Sequence, residues 1–264
     1  MTSKKIWTYK GSDGIKELRE LENEEEEAPK EKNEPFEFQN SEIVKSDYIQ
    51  IPGTEKVISR FEVQGYNNMT WEDTHFKLQE NGLYMQTIKL FTTHFMNVLN
   101  SYNSEGKSPL FDANGNPISK KETEDIAMHM LKDHIAVYGN SKGAWTWLDA
   151  FFEKQDDKMK MRLEHKVKID SNGKKILVAD KIEDLEKCLM EDCYVDLKFN
   201  SQGFPTEKCK KQSYTLGKNV YFDFPRSDSV ARFGAVDDGA YLDCSGDPPD
   251  GNYYLGVFAL AKNK

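Results

Sequence analysis

Apolar and polar positions change period along this chain, and the change divides it into parts. Between 41 and 63, IVKSDYIQIPGTEKVISRFEV offers short β-rich pieces interrupted by Pro52 and Gly53. GYNNMTWEDTHFKLQENG follows, polar with scattered aromatics and no period that selects an element. Ile88, Phe91, Phe95 and Val98 then recur at spacings of three and four. That is one face of a helix, with Thr87 placed to cap it. Ser119 and Glu122 have the spacing of a capping box, and Ile126, Met130 and His134 continue from it as one helical stripe. AWTWLDAFFEK puts Trp145, Leu148 and Phe152 on a third helical face, as core anchors more readily than as ligand-stacking residues.

After Asp156 the period becomes two. Met161, Leu163, His165, Val167 and Ile169 alternate with polar residues, Asn172 and Gly173 give a turn, and Ile176 and Val178 resume the pattern. A hairpin is expected there. KIEDLEKCLM suits a short helix, CYVDLKF another strand, and SYTLGKNVYFDFP a loop followed by a strand ending at Pro225. The pattern predicts an α+β protein, with helices packed on a twisted, mostly antiparallel sheet and an irregular C-terminal half.

Charge alters this picture at the N-terminus. The stretch from Glu20 to Glu37 holds nine Glu against Lys30 and Lys32, so it carries most of the net charge of -9. Such a run repels itself and buries little apolar area. Residues 1–40 are therefore expected to form an acidic, flexible segment, either a tether or an acidic binding device. Residues 41–264 are expected to form a single domain, a size that suits 264 residues in all. The near-neutral remainder shows no basic stripe, so no nucleic-acid partner is expected. No run of 18 apolar residues occurs, so membrane insertion is not expected, and MTSKKIWTYKGSDG lacks the apolar stretch of a secretory signal.

Chemistry does not assemble into a catalytic pattern. His129 and His134 are five apart and do not form an HExxH pair, and His165 is in phase with apolar strand positions, which suits a satisfied half-buried residue. No GxSxG, GxGxxG or GxxxxGK[ST] occurs, so no enzyme and no cofactor are expected. Cys188, Cys193, Cys209 and Cys244 suit buried free thiols, with a disulfide and a metal site as the other readings; Cys193 alternates with Val195, Leu197 and Phe199 as a core position. Asp237, Asp238, Asp243, Asp247 and Asp250 gather near the end, but DCSGDPPDGN lacks the EF-hand frame, and a solvated acidic surface with no metal is expected.

The last stretch, SDSVARFGAVDDGAYLDCSGDPPDGNYYLGVFALA, divides into two sets. Arg232, Phe233, Ala235, Ala240, Leu242, Cys244, Pro248, Leu255, Gly256 and Val257 form a frame. Between them stand Val236, Asp237, Asp238, Gly239, Tyr241, Asp243, Ser245, Gly246, Asp247, Asp250, Gly251, Asn252, Tyr253 and Tyr254. Leu242 and Cys244 alternate with Tyr241, Asp243 and Ser245, as on a half-exposed strand. Tyrosine among small polar residues suits a binding surface, because it brings large contact area at low entropy cost. Lys and Glu, common elsewhere in the chain, are absent from 233 to 261.

This stretch resembles the variable region of proteins diversified by retroelements, of the archaeal or viral type, in which copying is error-prone at adenines. Codons of the AAC type then yield Asn, Asp, Ser, Gly and Tyr, but neither Lys nor Glu. LGVF corresponds to an LGVR-like strand of that family, with Phe258 where Arg is usual. The resemblance covers about 225–260 and implies a C-type lectin fold with a variable region at about 230–257. It implies a diversified ligand-binding protein whose macromolecular ligand, expected to be a protein, is set by the fourteen intervening residues. The alternative is a structural or assembly protein of a virion without diversified binding. Location at a virion or cell surface, through a partner, is the corresponding expectation. The sugar-binding tripeptides EPN, QPD and WND are absent, so the fold does not imply sugar binding.

Overall fold

Eleven strands and three α-helices are laid out in the computed structural model, which describes residues 44–132, 143–236 and 238–262. The acidic segment 1–40, His134 and Asp237 lie outside the described residues. Strands β1 (Tyr48–Gln50), β2 (Lys56–Ser59), β3 (Tyr84–Met85) and β11 (Ala259–Lys262) form a four-stranded antiparallel sheet in the order β1-β2-β11-β3. The broken β-rich pieces around Pro52 and Gly53 become β1 and β2, so the start and end of the described chain share one sheet.

The larger sheet has seven strands in the order β6-β5-β4-β9-β10-β8-β7. Its members are β4 (Trp145–Gln155), β5 (Lys158–Ile169), β6 (Lys175–Asp184), β7 (Cys193–Asp196), β8 (Asn219–Asp223), β9 (Ser229–Val236) and β10 (Gly239–Gly246). Every pairing in it is antiparallel except β8 with β10, which run parallel. The architecture is mixed α+β. The expected hairpin is β5–β6, closed by a turn in which Asp170 and Lys174 bond and Gly173 takes φ 78°.

Helix α2 (Ile88–Asn103) buries Ile88, Phe91, Phe95 and Val98, and the Thr87 side chain accepts from the Leu90 amide. Phe91 and Phe95 meet Phe233 with ring centroids 4.7 and 5.5 Å apart, and Phe91 lies 6.1 Å from Phe258. Helix α3 (Lys120–Leu131) starts on the capping box, with Ser119 and Glu122 each serving the other's backbone amide. Ile126 and Met130 are buried as the stripe requires. The cap satisfies amides that the helix start leaves without partners, so Ser119→Ala is expected to lower stability by about 1 kcal/mol. Urea titration of the two proteins checks it; an unchanged midpoint would show that α3 is held by packing alone.

Two expected helices are corrected. AWTWLDAFFEK is β4, not a helix. It lies inside the larger sheet between β5 and β9 and is buried continuously from Thr146 to Ala150, so no alternation marks it as a strand. Its Trp, Thr and Phe content favours the extended state. KIEDLEKCLM is not a helix either, because β6 continues to Asp184, opposite Lys160, and the following residues are irregular. A third helix, α1 (Trp71–Glu80), forms where no period was visible. Its buried face is Trp71, Thr74, His75 and Leu78, at helical spacing but half polar, which dilutes the apolar signal. Thr70 caps it by accepting from the Asp73 amide.

The four cysteines are free; Cys193, Cys209 and Cys244 are buried. Among the described residues no helix is long and apolar enough to cross a membrane.

Candidate functional site

Strand β10 alternates as its sequence requires. Ala240, Leu242 and Cys244 are buried, while Tyr241, Asp243 and Ser245 are partly exposed. The register then extends the exposed face across the sheet. Tyr194 on β7 stands opposite Tyr221 on β8, Tyr221 opposite Tyr241 on β10, Tyr241 opposite Gly234 on β9, and Gly234 opposite Trp145 on β4. One cross-strand row over five strands thus carries three tyrosines and a tryptophan. The rings touch: Tyr194 and Tyr221 have centroids 5.0 Å apart, and Tyr221 and Tyr241 5.7 Å. Gly234 makes room for Trp145, since a Cβ there would lie 2.8 Å from the indole.

The loop after β10 completes the row. Tyr254 approaches Trp145 at 5.4 Å and Tyr253 at 5.0 Å, and Tyr253 is 59% exposed. This loop is anchored at both ends. The Pro248 carbonyl accepts from the Trp71 amide at the start of α1, and Gly256 exchanges backbone bonds with Trp145 and Trp147. Gly251 lies against Asn68, Met69 and Thr70. Leu255, Val257 and Phe258 are fully buried, so the loop's far end belongs to the core.

The described acidic residues take two different places. Asp238 and Asp247 are exposed. Asp243 and Asp250 converge on Arg232, at 2.7 Å from Nε and 2.9 Å from Nη1, and that guanidinium lies 5.8 Å from the Trp145 ring. Asp243 also accepts from the Ser245 amide and hydroxyl. These carboxylates gather around a cation of the chain itself rather than around open space. Val236 and Asn252 are partly exposed.

Gly239 and Gly246 differ from the rest of the fourteen. Both are buried, and a Cβ on Gly239 would fall 2.4 Å from the Tyr214 ring, at φ +127°. A Cβ on Gly246 would meet the Val230 carbonyl at 3.0 Å. These two positions shape the strand and present no side chain to a ligand.

Asp223, next to the row on β8 and paired with Asp243, is unusual. Partial burial, and then the neighbouring Asp243 and Asp192 charges, raise its pKa to about 6, against the opposing pull of Arg226 and Arg232. The unfolded carboxyl titrates near about 3.9. The folded state therefore keeps a proton that the unfolded state has lost, and stability falls as pH rises from about 4 to about 6. Asp223→Asn is expected to stabilise the protein by about 1 kcal/mol above about pH 7, with the gain fading near pH 4; the carboxyl's exposure to solvent reduces the full linkage value to this. Denaturant titrations of both proteins at the two pH values measure the difference, and an equal gain at both would assign it to packing.

Sequence reasoning missed Tyr194, Tyr221 and Trp145 as members of this surface. The alternation of CYVD and NVYFD does place both tyrosines opposite the buried residues of their strands. What it lacks is the strand order that sets β8 beside β10.

A second cluster lies apart from the row. His165, expected to be half-buried, is buried, and its Nδ1 and amide both bond Asp149, at 2.6 and 3.1 Å. His75 Nε2 lies 3.6 Å from the same carboxylate. These three residues are the group among the described residues that could hold a metal ion. Burial pushes the His75 pKa down to about 4, which keeps its imidazole neutral. No protein-family model, no curated protein and no solved structure matches this chain.

Proposed function

We propose that this chain is a diversified ligand-binding protein of the C-type lectin-like kind, and that it displays the exposed face of β10 and the following loop to a macromolecular ligand, a protein. The observation that carries this reading is the aromatic row from Tyr194 through Tyr241 to Trp145, extended by Tyr254 and Tyr253. Tyrosine and tryptophan at the centre of a contact surface supply most of the binding free energy in many interfaces, and here they are held by a sheet before any partner arrives. Each variable side chain on β10 points away from the core, so its replacement changes contacts without opening a cavity.

A library tests this. Randomising Val236, Asp237, Asp238, Tyr241, Asp243, Ser245, Asp247, Asp250, Gly251, Asn252, Tyr253 and Tyr254, with Gly239 and Gly246 kept, is expected to give mostly monodisperse proteins that melt cooperatively. Selection from it is expected to yield binders to unrelated proteins. A control library randomised at Ala240, Leu242, Cys244, Leu255 and Val257 is expected to aggregate. Equal misfolding in both libraries would sink the diversified-binder reading in favour of an assembly protein.

A further inference from the structure

We propose that His75, Asp149 and His165 form a binding site for a divalent transition-metal cation of the zinc type, which ties α1 to strands β4 and β5. The three side chains come from three different elements and converge, with one ligand atom from each lying within 4.8 Å of the others. All three residues are buried, at 1%, 3% and 7% exposure.

The site brings a buried carboxyl group against two buried imidazoles. Among the described residues, the ion-pair partners of Asp149 are the two histidines. A carboxylate taken out of water needs a compensating positive charge or strong donors. His165 supplies two N–H groups to it. His75 supplies none: its Nε2 is buried, faces Asp149 at 3.6 Å and has no hydrogen-bond partner. That atom is a buried polar group without a partner beside a carboxylate, an arrangement that a cation between them would satisfy.

Size and ligand chemistry fit. Imidazole nitrogen and carboxylate oxygen are ligands for zinc at about 2.0–2.2 Å, which puts tetrahedral ligand atoms about 3.3 Å apart. The gap from His75 to Asp149, 3.6 Å, already matches. His165 Nδ1, at 2.6 Å, would give up its hydrogen bond and its proton and draw back by about 0.7 Å. Three protein ligands leave a fourth position for water. A small cavity of about 70 Å³, lined by Asp149, His165, Glu164 and Tyr84 among others, stands beside the cluster and has room for it.

The surroundings hold the rings as a ligand set requires. The Trp71 indole sits edge-on to both imidazoles, 4.4 Å from His75 and 4.9 Å from His165, and its Nε1 donates to the Leu148 carbonyl at 2.9 Å. The Gln79 carboxamide donates to the His165 carbonyl and accepts from the Val167 amide, both at 2.9 Å. Trp71 also donates its amide to Pro248, so an ion here would brace the same helix start on which the tyrosine-bearing loop rests.

The test uses the full chain, stripped with a chelator and dialysed. Calorimetric titration with zinc ion alone is expected to show one ion bound per chain. Loss of an outer partner alone weakens metal sites by about 10–100-fold, so His75→Gln, which removes a ligand, is expected to weaken binding by about 100-fold or more. X-ray absorption at the zinc edge of the wild-type complex is expected to show two imidazoles and oxygen. This measurement needs no variant, so it decides the matter even if His75→Gln fails to fold. Absence of stoichiometric binding, unchanged affinity in a folded His75→Gln protein, or a zinc shell of sulfur from the cysteines would each overturn the proposal.

Discussion

Gly239→Ala is expected to lower stability by about 2–6 kcal/mol, although it adds one methyl group. Two costs combine. The backbone sits at φ +127°, a region open to glycine and costly by about 1–3 kcal/mol for other residues. The new Cβ would also lie 2.4 Å from the Tyr214 ring, and overpacking of this kind costs about 1–3 kcal/mol. Tyr214 has little freedom to retreat, because its hydroxyl donates to the Leu131 carbonyl at the end of α3. Gly251→Ala is the control. A Cβ there meets its nearest neighbours at 3.8 Å, an ordinary contact, and the change is expected to be nearly neutral. Urea denaturation of both variants separates the two glycines. Wild-type stability in Gly239→Ala would mean that Tyr214 moves aside and that position 239 can carry a side chain after all.

Leu242→Ala is expected to cost about 2–5 kcal/mol, from lost transfer energy and the cavity it leaves. Its neighbour Tyr241→Ala is expected to cost within about 1 kcal/mol, since Tyr241 faces outward and opens no cavity in the core. Leu242 lies opposite Phe233 and Phe222 on the two flanking strands, and α2 packs on Phe233 through Phe91 and Phe95. Tyr241 loses its contact with Tyr221, which is a surface contribution. Thermal or chemical melts of the two variants compare adjacent residues on one strand. Equal losses would show that the exposed row holds the sheet together and is not free to vary.

How much of this was legible depended on whether an element had one wet face. Strand β10 and the β5–β6 hairpin each turn one side to polar surroundings along much of their length, so period two was visible in Leu242, Cys244, Met161 and Leu163. Helices α2 and α3 showed themselves by an apolar stripe or a capping box. Strand β4 did not, because Trp147, Leu148 and Ala150 are all covered and a run buried on both faces has no period to detect. Helix α1 was hidden for the opposite reason: it spends part of its buried face on Thr74 and His75, which lower the apolar contrast. Of these two polar residues, His75 is also the one that meets Asp149.

The sequence by itself determined which side chains of the last strand turn inward. Alternation between Leu242, Cys244 and the residues beside them is a property of the extended backbone, in which successive side chains point to opposite faces. It also marked the caps at Thr87 and Ser119, because capping acts over three residues. Tertiary structure alone decided who stands next to whom. Tyr194, Tyr221, Tyr241 and Trp145 span about a hundred residues of chain, and their meeting depends on strand order and register. His75, Asp149 and His165 likewise come together only when α1 docks on β4 and β5. Such contacts are made by long-range pairing, whose energy lies in packing and hydrogen bonds between distant segments, and no local periodicity encodes them.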